Sequence, residues 1–144
     1  MKKNLKYLIL GAAGFIGKNL IEDISGEAGA ELLLFDREEE VYPVRNGSAY
    51  RAVRGDFETD TDFFELTRGI DVVYHLISTT LPNSSNENLA ADFSDNVVST
   101  IRLLDACVKN QVKKVMFISS GGTVYGAEAT EPVSENSVTN PISA

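Results

Sequence analysis

The chain has 144 residues, 43% of them hydrophobic and 24% charged, enough for one domain with a sizeable core and too apolar for a disordered whole. A formal net charge of −8 argues against nucleic acid as a partner, because phosphate binding needs a basic face. One cysteine and one histidine exclude an internal disulfide and a multi-cysteine metal site, so no metal is expected and a reducing, cytoplasmic setting fits.

At the N-terminus Lys2, Lys3 and Lys6 before "YLILGAAGFIG" imitate a secretory leader, but Gly11, Gly14 and Gly17 break the apolar run and Lys18-Asn19 ends it. No run reaches the length of a membrane span, so no membrane partner is expected. "KYLIL" (6–10) is a continuous apolar run, the mark of a strand buried on both faces. From Phe15 on, Ile16, Leu20 and Ile24 recur every four residues, which predicts a helix closed by Ser25-Gly26 and Gly29. "ELLLFD" (31–36) reads as a second strand and "AYRAVRGD" (49–56) as a weaker third. The stretch between them, "REEEVYPVRNGS", is polar and turn-rich; Glu38 and Glu40 read there as solvated carboxylates rather than metal ligands. "DTDFFELTRG" opens with capping residues and predicts a short helix ending at Gly69.

"DVVYHLIS" (71–78) predicts a fourth buried strand and "TTLPNSSNEN" a loop. Phe93, Val97, Ile101, Leu104 and Val108 then fall on one face of a long helix that stops near Asn110. A fifth strand spans 115–119 after Lys113-Lys114, and the residues beyond Ser119-Ser120 show no helical or strand period. Short apolar strands alternating with helices predict an α/β fold, a Rossmann-like doubly wound parallel sheet of about five strands in the order 3-2-1-4-5. Ligands of such sheets sit beyond the C-terminal strand ends where the order reverses. Gly11, Leu76-Ile77-Ser78 and Ser119-Ser120 fall at that end.

"GAAGFIG" places glycines at 11, 14 and 17 between a strand and a helix, the context in which a glycine pattern reads as a pyrophosphate cradle. Gly11 permits the tight turn, Gly14 lets backbone N–H groups approach the phosphates, and Gly17 lets the helix lie close to the sheet. Asp36, ending the second strand, can accept both ribose hydroxyls of an adenosine and would repel a 2′-phosphate, which favours NAD over NADP. Arg37 beside it is the residue type that accepts such a phosphate. His75 lacks an evident acid or metal partner and reads as a strand residue packed or hydrogen-bonded at the sheet end; Cys107 reads as a small buried hydrophobe.

These motifs carry a resemblance. "GAAGFIG", "FD" at 35–36, "GDF" at 55–57, "VVYHLIS" at 72–78, "DNVVSTIRLLDAC" at 95–107 and "FISSGGTVYG" at 117–126 together resemble the extended short-chain dehydrogenase/reductases. Within them the chain is most similar to the NAD-dependent epimerase/dehydratase branch, of the UDP-glucose 4-epimerase type. The resemblance implies that Gly11, Gly14, Phe15, Ile16 and Gly17 hold the pyrophosphate of NAD, that Asp36 takes the adenine ribose, and that Asp56 and Phe57 flank the adenine. It further implies that Leu76, Ile77 and Ser78 line the nicotinamide side, that Asn96 supports this region from the long helix, and that Ser119 and Ser120 lie near the nicotinamide ribose.

Two departures stand out. Relatives carry their catalytic Ser or Thr three places before the valine of "VYG", where this chain has Gly121; Ser120 or Thr123 is then left to supply the hydroxyl. The family's catalytic Tyr-x-x-x-Lys pair follows a loop like that at 140–143, which makes residues 1–144 an incomplete NAD-binding domain without a C-terminal substrate domain. Tyr125 has alanine at i+4 and does not replace the pair. The expected parent acts on a nucleotide sugar by transient hydride transfer to bound NAD and dimerises through the helix at 89–109 and a missing helix. A reductase of a small carbonyl, or a non-catalytic dinucleotide-binding module, are the alternative readings. The tail beyond Gly126 is expected to be poorly ordered.

Overall fold

The computed structural model describes residues 4–38, 42–45, 47–59, 61–79, 86, 88–126 and 132–141. Five parallel strands form one sheet in the order β3-β2-β1-β4-β5, the topology that the alternation of strands and helices predicts. The strands are β1 (Lys6–Leu10), β2 (Glu31–Asp36), β3 (Ala49–Arg54), β4 (Val72–His75) and β5 (Lys114–Phe117). The central β1 is hydrogen-bonded to both β2 and β4, with Leu10 opposite Phe35 on one side and His75 on the other. The chain-order reversal therefore falls between β1 and β4.

Residues of β1 alternate between two cores, as a pleated strand requires. Leu8 and Leu10 join Phe35, Val73, Phe63, Leu66, Leu103, Ala106 and Cys107. Tyr7 and Ile9 join Leu32, Leu34, Ile21 and Ile24. The first core is closed by helices α2 (Phe63–Leu66) and α4 (Ser99–Lys109), the second by α1 (Phe15–Ile24). Full burial of one such side chain contributes about 1.5–3 kcal/mol.

The helices differ from expectation in informative ways. In α1 the buried residues are Gly17, Ile21 and Ile24, while Ile16 is 51% exposed. Of the expected row, Ile24 is buried and Leu20 packs against the second core, whereas Ile16 is replaced on the sheet by Gly17. α2 is a single turn whose N-cap Asp62 accepts the Glu65 N–H at 3.1 Å. The long helix is three segments: α3 (Leu89–Asp92), a π-helical stretch over Phe93–Val98, and α4, capped at Asn110. Its expected apolar row is present but faces outward; Phe93, Ile101 and Val108 are more than half exposed, and the buried side is Ser99, Leu103, Ala106 and Cys107.

The predicted strands at 71–78 and 115–119 are shorter in the structure, since their last residues pass beyond the paired sheet. The segment after Ser120, expected to be irregular, opens with a one-turn helix α5 (Gly121–Tyr125). Glu39, Glu40 and positions 127–131 and 142–144 lie outside the described residues, as do most of the loop at 79–88. Among the described residues no helix is long and apolar enough to cross a membrane.

Candidate functional site

The glycine turn leaves β1 at the reversal point of the sheet. Gly11 takes φ +84°, a conformation that costs an L-residue strain and glycine little. A Cβ on Gly17 would lie 2.3 Å from the Gly11 carbonyl oxygen, so only glycine lets α1 approach the turn this closely. The turn is held from the neighbouring strand. The Phe35 carbonyl accepts the N–H groups of Gly11 and Ala12 at 3.0 and 3.2 Å, and Asp36 Oδ2 accepts the Ala13 N–H at 2.9 Å. Gly14 is the N-cap of α1; no side chain caps it and no acid sits in the first turn. The helix therefore presents first-turn N–H donors and its positive dipole end to whatever lies above the turn.

A cleft of about 180 Å³ adjoins this turn, lined among others by Gly11, Gly14, Asp36, Arg37, Asp56, Phe57, Leu76, Ile77 and Ser78. Nine of the residues singled out in the sequence are thus gathered in one place from the ends of four strands, β1 to β4. The cleft is not the largest hollow; one of about 580 Å³ lies between α2 and α4 at Phe64, Arg102 and Lys109, away from the turn. Convergence of donors and acceptors, not size, selects the smaller one. Asp36 keeps acceptor capacity for a ligand: Oδ1 takes the Glu38 N–H at 3.2 Å and Oδ2 that of Ala13, whereas an ionised carboxylate has about four acceptor sites. Asp56 Oδ1 accepts the Glu58 N–H at 2.8 Å, which turns the chain around the cleft rim.

Glu58 and Thr79 also line the cleft and were not singled out. Burial raises the Glu58 carboxyl pKa first, with the nearby charges of Asp95 and Asp56 adding to it. Its position right after "GDF" was the available signal.

The remaining predicted residues do not line the cleft. Phe15 is 85% exposed at the start of α1, Ile16 stands beside it, and Gly17 lies beneath, against the turn. Asn96 acts from the π-helical stretch, its Oδ1 accepting the Thr79 N–H at 3.0 Å. Ser119 and Ser120 are exposed beyond β5; Ser120 begins α5, and the Thr123 hydroxyl donates to the Ser120 carbonyl at 3.1 Å.

His75 is buried at the end of β4, with Nε2 3.0 Å from the Thr100 hydroxyl and the rings of Phe57 and Phe117 at 4.9 and 5.2 Å. Burial pulls its pKa down to about 4, so it is neutral at pH 7. Cys107 is buried in the first core, which pushes its thiol up to about 11.

Known proteins share this fold. The model of the NAD dependent epimerase/dehydratase family matches residues 7–144. The chain belongs to this family. Among curated members it is 34% identical to UDP-glucose 4-epimerase of Mycolicibacterium smegmatis, an alignment covering 96% of this chain and 46% of the relative. It is 32% identical to dTDP-4-dehydro-6-deoxyglucose reductase of Escherichia coli, over 93% of this chain and 44% of that one. The structure of MoeE5 in complex with UDP-glucose and NAD superimposes with a TM-score of 0.80 at 30% identity, covering 96% of this chain and 43% of the other. The chain thus spans less than half the length of these family members.

Proposed function

We propose that this chain is the NAD-binding portion of a nucleotide-sugar epimerase/dehydratase. The observation that carries the reading is the cleft itself, where an uncapped helix N-terminus, the Asp36 carboxylate and the β4 exit converge. Gly11 and Gly14 shape the turn that, with the first-turn N–H groups of Phe15, Ile16 and Gly17, holds the pyrophosphate, Asp36 accepts the adenosine ribose hydroxyls, and Asp56 and Phe57 bound the adenine. Arg37 stands at the rim. Leu76, Ile77, Ser78, Asn96 and Ser119 form the nicotinamide side. When bound, NAD supplies a hydride acceptor that can return the hydride to the same substrate.

The chain's own part in that chemistry is to bind and orient. Ser120 or Thr123 positions a sugar hydroxyl. None of the five tyrosines has a lysine at i+4, so the proton acceptor with a nearby ammonium that the reaction needs lies outside these residues. The 144 residues are accordingly expected to bind NAD and to give no turnover, the substrate's nucleotide being held by a further domain. The coverage of less than half of each relative supports this division. The outward apolar row of Phe93, Ile101 and Val108 supports pairing with a second copy through the long helix. The one cysteine, buried, suits a cytoplasmic setting. The likeness to a dTDP-4-dehydro-6-deoxyglucose reductase favours reduction as the second reading.

Calorimetric titration of the chain with NAD and NADP tests the proposal. NAD is expected to bind, with NADP and the Asp36→Ala variant about tenfold weaker or worse, the scale of hydrogen bonds to a charged group. No heat of binding at millimolar NAD, or epimerase turnover by these residues alone, would sink it.

A further inference from the structure

We propose that Asp92 is a positioning residue of the cleft, setting the Asn96 side-chain amide so that its oxygen holds the Thr79 backbone N–H. The proposal rests on reading the cleft as a dinucleotide site. β4 ends at His75, and beyond Leu76, whose N–H donates to the Leu10 carbonyl at 3.0 Å, residues 77–79 pass out of the paired sheet. Yet Leu76 through Thr79 line the cleft. At the far end of this wall the Thr79 N–H donates to Asn96 Oδ1 at 3.0 Å.

A side-chain amide has two chemically opposite ends, and only the oxygen can accept that proton. Asp92 decides which end faces Thr79. Asp92 is 7% exposed, and its Oδ1 accepts from Asn96 Nδ2 at 3.0 Å. An ionised carboxylate accepts and never donates, so it draws the amide NH₂ and turns the oxygen toward the wall. The reversed amide would set oxygen against carboxylate and NH₂ against N–H, leaving buried polar groups unmatched. The backbone contributes as well. Asn96 sits within the π-helical stretch Phe93–Val98, and one extra residue in a turn rotates what precedes it by about 100° relative to an uninterrupted helix. That offset lets Asn96 reach the cleft wall while Leu103 and Cys107 of the same helix face the core. Such π-turns often mark functional sites.

Hydrogen exchange at the Thr79 amide, followed by NMR in the ligand-free chain, reads the positioning directly. Asp92→Ala is expected to speed exchange there about tenfold, and Asn96→Ala to do the same, with the double Ala variant no faster than either single one. Asp92→Asn keeps an acceptor oxygen and should restore slow exchange. If Asp92→Ala does not fold, the exchanged pair Asp92→Asn/Asn96→Asp decides: donor and acceptor trade places, the Thr79 N–H still meets an oxygen, and exchange stays slow. Unchanged exchange in Asp92→Ala, or additive effects of the two Ala variants, overturns the proposal. Calorimetry on the same variants should show NAD weakened about tenfold by Asp92→Ala and near normal with Asp92→Asn. Failure of the unaltered chain to bind NAD would remove the dinucleotide reading, whereas the exchange data judge the Asp92–Asn96–Thr79 link by itself.

Discussion

β1 and β5 are written in similar letters and live in different surroundings. Leu8, Ile9 and Leu10 of β1 are wholly buried, whereas Met116 and Phe117 of β5 and the adjoining Ile118 are 36%, 63% and 48% exposed. β1 has a strand on each side and a helix layer over each face; among the described residues β5 pairs only with β4. Only Val115 of β5 reaches a core, from the side that α4 covers. An apolar run therefore specifies a strand, while its burial is a property of neighbours that the run does not contain. The site follows the same division: the proposed dinucleotide cleft is assembled around β1, and the expected catalytic hydroxyls sit at the exposed end of β5.

The contrast can be broken by substitution. The largest effect is expected at Gly17→Ala, where the new methyl meets backbone on the buried side; equilibrium unfolding should show a loss of about 3 kcal/mol or more. Leu8→Ala should cost about 2–5 kcal/mol by cavity formation, and Met116→Ala about 1 kcal/mol or less, measured by urea denaturation. Equal losses for the two would mean that β5 is as well packed as β1.

A smaller, pH-dependent effect sharpens the boundary between the regions, because His75 stands between Phe57 and Phe117. Its folded-state pKa of about 4 lies below the unfolded value near 6.5. The unfolded chain then binds the proton first, so this contribution to stability is whole above pH 6.5 and is lost as pH falls toward 4. The loss is up to about 1.4 kcal/mol per pH unit. Unfolding free energies measured from pH 7 to pH 4 should show this slope in the natural sequence and lack it in His75→Asn. Parallel curves would place His75 in water rather than between the rings.

Much of the cofactor end was legible because its determinants are local. Glycine spacing, the strand before it and the acid ending β2 are contiguous patterns, and the structure brings Gly11, Gly14, Asp36, Asp56 and Leu76 to one cleft. The π-helical turn was not legible, since a shift from i→i−4 to i→i−5 bonding leaves no mark in apolar spacing. The helix row Phe93–Val108 was read as a face, but which face meets the core depends on where β4 and α2 stand. In α1 only the first position of the row differs, because glycine scores as nothing in an apolar pattern, although Gly17 is the residue pressed on the turn.

The three consecutive N–H groups of Gly11, Ala12 and Ala13 are all taken by the end of β2. The seven residues of "GAAGFIG" are thus not a portable part. Transplanted onto a strand whose neighbour lacks a carbonyl and a carboxylate at those heights, they would keep the letters and lose the shape. Selection on the proposed ribose-binding acid and on the proposed phosphate turn would then be one selection, because one oxygen of Asp36 serves the turn.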